Sequence, residues 1–396
     1  MIPKIIIMSI VLVFFTHADF TICKFNFGAD WDYIDNNRTT ETAKAIDYVT
    51  IWLNDPTFNT GWHGNMVRWC KNNAKTPVFY SYIIAKASGL GDSDVGGKLS
   101  TEGAAFLKNN WNTITNRYKD YASKTATYYG TDKPVIWLME PDFYQYFSGN
   151  QSVKLSYSDA SRYMNELISI IKSSLPNALI SLDISPWNND QATYIRSFDM
   201  SKFTFMNTSG GRTEANNSRI RMDNDNNVTW SQVSTASGKG IIADDGYGTG
   251  GGSTGHDYSW DDVNNLKNRI ADGVVAITQK SPHANWGTTI NSLKNSLSSQ
   301  KIKCDVSRII LQDINLQSKK TSITIVKSKG NFTATLPAMH NFTSYSLYDL
   351  KGQLISCGVV TPNTNKITFS NMSTTVHLLR LQSNHAATTV RLAALN

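Results

Sequence analysis

Between residues 47 and 299, short and almost wholly apolar runs alternate with stretches of helical period, a pattern that few folds accept. The candidate strands are 48–52, 77–84, 134–139, 178–184, 203–207, 240–243 and 274–277. Helical patterns lie between them at 101–122, 158–174, 261–270 and 288–298, the first two opening on Ser100 and Tyr157-Ser158 in cap-like contexts. Strands without a polar face must be covered on both sides, so the alternation predicts a parallel sheet under helices. Seven or eight such units in about 280 residues predict an α/β fold of the β/α-barrel kind, regular or distorted, rather than an open sheet. No Gly-x-Gly-x-x-Gly stands between a strand and a helix, so no dinucleotide and no other cofactor is expected.

Composition enters through what it excludes. With 40% hydrophobic and 17% charged residues, the chain is neither a disordered segment nor a coiled coil. A formal charge of +7 would suggest nucleic acid, were it not confined to one end. From residue 314 to 396, Lys319, Lys320, Lys327, Lys329, Lys351, Lys366, Arg380 and Arg391 stand against Asp349 alone, so this segment carries the whole excess. The remainder is neutral, and no nucleic-acid partner is expected.

The N-terminus has one lysine, then an unbroken apolar run closing at Thr16-His17-Ala18. It reads as a signal peptide over 1–18, too short for a membrane span of ~20 residues, which predicts a secreted, extracellular protein with no membrane partner. Secretion makes Cys23, Cys70, Cys304 and Cys357 eligible for disulfides, and their spacings fit no zinc pattern, so no metal is expected. First and last helices are neighbours in a closed barrel, which suggests a Cys70–Cys304 bridge. Sequons at Asn37, Asn150, Asn227, Asn331, Asn341 and Asn371 would be glycosylated in a eukaryotic host.

Two domains follow: a barrel over 24–303 and, where the texture changes to short alternating segments broken by Gly, Pro and Asn, a β-sandwich over 314–396. The YDLKGQL hairpin at 348–354, with Gly358 and the HLLRL strand, resembles the C-terminal sorting modules of bacterial type IX secretion.

In a parallel barrel, chemistry collects where the strands end, because the loops there converge on one mouth. The run PVIWLMEPDF delivers Glu140 and Asp142, two apart and therefore on one side of an extended chain, with Pro141 marking the strand's end. Paired carboxylates at a mouth disfavour double ionisation and keep one of them protonated near neutral pH. The next ends bring Asp183 followed by Trp187, then Asn207, then Asp244, Asp245 and Tyr247 with a glycine-rich loop reaching His256. Tyr80 and Tyr82 alternate, so one face of their strand can bring a hydroxyl to the mouth. Acid, amide and aromatic groups together suit a sugar, whose hydroxyls want polar partners and whose ring faces stack on aromatics. Trp31, Trp52, Trp62, Trp69, Trp111 and Trp137 read instead as core.

The order of these ends, Glu-Pro-Asp, then Leu-Asp-x-x-x-Trp, then Phe-x-Asn-x-Ser, then Asp-x-Gly-x-Gly, resembles the family-six glycoside hydrolases, cellobiohydrolases and endoglucanases on a distorted seven-stranded barrel. The resemblance implies that Asp142 is the general acid, Glu140 its support, Asp183 the aspartate beside the reactive sugar, Trp187 a stacking residue and Asp244 the aspartate of the Asp-x-Gly loop. It places Asp92 or Asp94 where the family tunes its acid, and Lys280 where the family has a sugar-binding lysine. The loop around Asp92 reads GLGDSDVGG, without the family's Arg-Asp-Cys, and a second candidate base has no match. The expectation is a monomeric, secreted glycoside hydrolase that cleaves a β-linked, cellulose-like polysaccharide with inversion. Its alternative is a catalytically silent polysaccharide-binding or matrix protein on the same barrel.

Overall fold

Eight short parallel strands, apolar on both faces until their last residues, close the barrel: β1 (Asn26–Asp30), β2 (Tyr48–Trp52), β3 (Thr76–Ser81), β4 (Ile136–Met139), β5 (Leu179–Asp183), β6 (Phe205–Asn207), β7 (Gly240–Asp245) and β8 (Val274–Gln279). A computed structural model describes residues 24–91, 97–141, 143–146, 151–184, 191–209, 213–220, 227–245, 255–300 and 302, then 324–328, 331–336, 342–349, 354–361, 364, 366–370, 377–383 and 387–392. Each strand pairs with the next, and β8 returns to β1 with Asn26 opposite Ala276 and Gly28 opposite Thr278. Eight strands close where the family-six resemblance implied seven. The strand absent from the sequence reading is β1, whose NFGAD offers only Phe27 and Ala29 as apolar side chains around a central glycine.

Its glycine is a requirement of the fold. A Cβ on Gly28 would stand 2.0 Å from the Tyr48 ring, so the missing side chain is the space into which that ring lies. Tyr48 then fills the barrel with Val78, Tyr80, Ile136, Leu138, Leu179, Phe205 and Ile242, and its hydroxyl meets Thr278 Oγ1 at 2.9 Å. The second layer, between sheet and helices, holds Trp31 and Trp137 without exposure, and Trp62 and Trp111 pack against it partly buried.

Helices form where local sequence allows and stop where it does not. The expected helix 101–122 is two, Leu99–Asn109 and Trp111–Tyr129, parted at Asn110. Ser156 caps Tyr157–Ser174 by accepting from the Asp159 amide, and Asp262 caps Val263–Ala271 through the amides of Asn264 and Asn265.

Closure is secured by the helix Glu41–Ala45, between β1 and β2, and the helix Trp286–Ser296, after β8, which are neighbours around the ring. The Gly287 amide donates to Thr42 Oγ1 at 3.1 Å, and Lys294 Nζ donates to the Ala45 carbonyl and to Asp47, whose other oxygen accepts from the Phe27 amide. Burial raises the Asp47 carboxyl above its ordinary value, with Lys294 pulling against it. Cys70 is buried, its thiol 3.4 Å from Met66 Sδ, while Cys304, the partner expected for it, lies outside the described residues, as does Cys23.

The chain divides at Lys303/Cys304. In the second unit β9 (Thr324–Ser328), β10 (Asn331–Thr335) and β13 (Lys366–Phe369) make one antiparallel sheet. The other runs β12 (Leu354–Val359), β11 (Phe342–Asp349), β14 (His377–Ser383), β15 (Ala387–Leu392). Phe332, Leu347, Ile367, Phe369, Leu379 and Leu381 form one core between them. Among the described residues no helix is long and apolar enough to cross a membrane.

The helix contact at Gly287 yields a prediction. A Cβ there would lie 2.3 Å from the Glu41 carbonyl carbon and 2.4 Å from the Thr42 nitrogen, both backbone. Gly287→Ala must part the two helices, at a cost of about 1–3 kcal/mol in chemical denaturation, with helix content by circular dichroism unchanged. Unaltered stability would show that the helices are not pressed together.

Candidate active site at the barrel mouth

Along each strand, residues two apart face the same side, so the inward rows of the barrel continue into the mouth. On β5 the row is Leu179, Ser181, Asp183; on β7 it is Ile242, Asp244; on β3 it is Val78, Tyr80. These rows bring a set of buried polar side chains together. The Tyr80 hydroxyl donates to Asp244 Oδ2 from across the barrel, and Trp52 stacks on the Tyr80 ring at 4.9 Å and 14°. Trp52 is half-buried, at the end of β2, which makes it a mouth residue that the sequence reading placed in the core. Its signal was available: it closes an inward row that runs Tyr48, Thr50, Trp52.

Asp183 accepts from Asn207 Nδ2 at 3.1 Å and from Ser209 Oγ, and Ser181 Oγ donates in turn to Asn207 Oδ1 at 2.7 Å. Two donors on one carboxylate oxygen fix its orientation. Asp244 is also buried, and its amide donates to Thr208 Oγ1. Burial raises its carboxyl well above the ordinary range, Asp245 and Asp30 push it further, and Tyr80 and Lys280 pull it down. Oδ1 of Asp244 is buried without a hydrogen-bond partner, so a protonated Asp244 has a donor to offer there. Asp245 is buried beside it, with its carbonyl accepting from the Lys280 amide at 3.4 Å.

Glu140 stands apart from this set. Its φ of +29° is left-handed, and the extended row of β4 ends at Met139. The side chain is turned beneath the helix Ile83–Ser88, where its carboxylate accepts from the amides of Ile83 and Ile84 at 3.2 Å and from the Tyr118 hydroxyl. The extended geometry on which the expectation for Glu140 rested does not hold at that residue, because two-residue spacing puts side chains together only in extended chain. A left-handed residue before a proline is disfavoured twice, by its own Cβ and by the Pro141 ring, so surrounding contacts must hold it. Burial pushes the Glu140 carboxyl up to about 8, against the pull of Tyr118 and the two amides.

Asp142, Asp92, Asp94, Trp187 and Tyr247 lie outside the described residues. Of the others, Asp183, Asn207, Asp244 and Asp245 come together at the mouth, Lys280 bears electrostatically on Asp244, and His256 sits on the rim. His63 is structural: its Nδ1 accepts from the Asn59 amide and its Nε2 meets the Trp52 carbonyl.

On the rim, His256 Nε2 and His283 Nε2 meet Asp261 Oδ2 at 3.0 and 3.1 Å, and Trp286 Nε1 donates to Asp261 Oδ1 at 2.9 Å. The three side chains bring possible ligand atoms within 4.8 Å of one another, a spacing an ion could use. His283 Nδ1, however, accepts from the Asn285 amide at 3.2 Å, which puts the ring proton on Nε2 and leaves no lone pair there. Asp261 is thus an acceptor at the centre of a hydrogen-bonded cluster.

No family model matches the chain, and no curated protein does. Solved structures to which the chain is similar include glycoside hydrolases. A modular endo-β-1,4-mannanase from Cellulomonas fimi has 8% identity, covers 93% of each chain and has a TM-score of 0.46. GH26C from Muricauda sp. MAR_2010_75 has 13% identity over 70% of this chain and 86% of its own, at a TM-score of 0.45. A family 30 subfamily 8 xylanase from Clostridium acetobutylicum has 9% identity over 93% of this chain and 96% of its own, at 0.41. At TM-scores below 0.5 these likenesses carry no argument about the site, which must be read from its own residues.

The raised Glu140 carboxyl predicts a pH dependence of stability. Its folded value of about 8 exceeds the unfolded one of ~4.3, so the folded state holds the proton more tightly; its contribution is complete below ~4.3 and lost as pH rises to about 8. Glu140→Gln should remove a slope of up to roughly 1.4 kcal/mol per pH unit across that window in urea melts. Parallel curves for the two proteins would refute the assignment.

Proposed function

We propose that this protein is a glycoside hydrolase acting on a β-linked polysaccharide at the mouth of its barrel. The observation that carries the reading is the convergence of Asp183, Asn207, Asp244, Tyr80 and Trp52 on one mouth. Carboxylates and an amide supply partners for sugar hydroxyls, and a half-exposed tryptophan supplies a stacking face. Asp244, whose carboxyl burial raises and whose Oδ1 has no hydrogen-bond partner, is chemically suited to give a proton to a glycosidic oxygen. Asp142, which follows β4 in the chain, is the second acid that the sequence resemblance supplies. In this reading one of the pair is the general acid and the other acts on water or on the anomeric carbon. Glu140 serves by holding the end of β4.

The finer reading, inverting cleavage of a β-1,4-glucan with Asp142 as the acid, rests on the sequence resemblance. Inversion requires carboxyl groups roughly 6.5–9.5 Å apart, and retention about 5–5.5 Å. Proton NMR of the first product anomer decides between them. A second reading, a silent polysaccharide-binding protein, draws support from Glu140, which is committed to the Ile83 and Ile84 amides and is withdrawn from chemistry.

Assay of reducing ends on soluble β-glucan, xylan and mannan separates these readings. Product from one polymer is expected, and Asp142→Asn and Asp244→Asn should each lower turnover by on the order of 10²–10⁴ with affinity nearly kept. Polymer retention without product would establish the silent protein, and unchanged turnover in both variants would remove the site from the mouth.

A further inference from the structure

Outside the ring of strand ends, the segments following β6, β7 and β8 enclose a pocket of about 750 Å³ lined by Glu214, Asn216, Asp257, Tyr258, Ser281 and His283, among others. Its most exposed member is Tyr258, at 68%, one of few large apolar side chains so exposed among the described residues. Exposure of a tyrosine alone means little. What distinguishes this one is how it is held. One ring face lies on His283, at 5.3 Å between centroids and 19° between planes, and the edge of His256 meets it at 4.8 Å. Both histidines are in turn fixed by Asp261, which the buried Trp286 holds through its other oxygen. A hydrogen-bonded cluster thus immobilises the ring on which Tyr258 rests, and Tyr258 itself stands exposed in the wall of a polar cavity.

We infer that Tyr258 is the stacking platform of a carbohydrate subsite on the rim, taking a pyranose unit of a β-linked chain. The inference rests on the reading of this protein as acting on a polysaccharide. The chemistry of the walls selects the ligand class. Glu214 and Asp257 repel phosphate and carboxylate, and the mixture of acid, amide and hydroxyl groups offers nothing to a lipid. A neutral, polyhydroxylated ring fits: its C–H face covers the tyrosine, and its hydroxyls find Glu214, Asn216 and Ser281. Rigidity matters here, because a platform already ordered in the free protein loses little entropy on binding. The subsite shares the mouth side of the barrel with the strand-end acids, to which it is tied through Thr213: the Thr213 hydroxyl donates to the Asp244 carbonyl, and its own carbonyl accepts from Trp260 Nε1. A chain bound at both would be gripped away from the bond to be cut.

The test is calorimetry of the full chain with cellohexaose, xylohexaose and mannohexaose, beside reducing-end assays on the matching polymers. One hexaose should bind; Tyr258→Ala should weaken it about tenfold or more, and Tyr258→Trp should keep it within about threefold. Because the side chain is exposed, thermal melts of both variants should match the parent, which separates lost stacking from lost structure. Equal affinity of Tyr258→Ala and the parent would overturn the subsite, as would hydrolysis of a polymer by a protein that binds no hexaose, and in both cases the hydrolase reading would survive. Binding that depends on Tyr258 without any product would keep the subsite and remove the hydrolase. Neither binding nor product would end both.

Discussion

Everything at the mouth depends on barrel closure, and closure depends on β1 finding β8 across some 250 residues of chain. Parallel pairing of distant strands is entropically costly, so it needs contacts made only when the ring is complete. Two are visible. The Tyr48 ring occupies the space that Gly28 leaves and meets Thr278 on the last strand. On the outside, Gly287 brings the last helix against the backbone of Glu41 and Thr42, and Lys294 reaches Ala45 and Asp47. Asp47 also takes the Phe27 amide of β1, so one carboxylate links first strand and last helix. Inside this closed ring the strand-end residues have fixed positions, and Tyr80 of β3 can reach Asp244 of β7.

A closed barrel also explains why the mouth acids have the character they do. The inward row of β7 sets Asp244 directly above Ile242, one of the apolar residues that fill the barrel, so Asp244 sits on an apolar floor. Desolvation is strongest there. The Asp244 carboxyl is raised by that floor and by neighbouring acids, whereas Asp183 accepts from Asn207 and Ser209. Two aspartates at comparable depth on β5 and β7 are thereby given different surroundings, the condition for unlike roles at one site.

How far the sequence disclosed this follows from what each feature depends on. Seven of the strands are readable because burial on both faces leaves an apolar run, and β1 is not, because its central glycine answers to a ring 20 residues away. Asp183, Asn207 and Asp244 are readable because inward parity holds to the end of their strands. Glu140 is where parity misleads: one left-handed φ turns its carboxylate under a helix, and nothing in LMEPDF announces that dihedral. Trp52 ends both the strand expected at 48–52 and the observed β2, so its place at the mouth was legible, and only the apolar character of its ring argued for the core.

The rim cluster shows the same principle at a longer range. His256, Asp261, His283 and Trp286 come from the segments after β7 and β8, and no spacing along the chain unites them. They meet because Ser281 and Lys280 pair with Gly255 and Asp245, laying the two segments side by side as the strands below them already lie. Gln279, the last residue of β8, then takes the Asp257 amide and donates to the Asp257 carbonyl, which sets the start of the turn carrying Tyr258. Strand register is therefore passed to the rim through backbone pairing, and from there to an aromatic ring. A rim built this way takes its geometry from the barrel beneath it, so the position of Tyr258 relative to the buried acids is set by strand register.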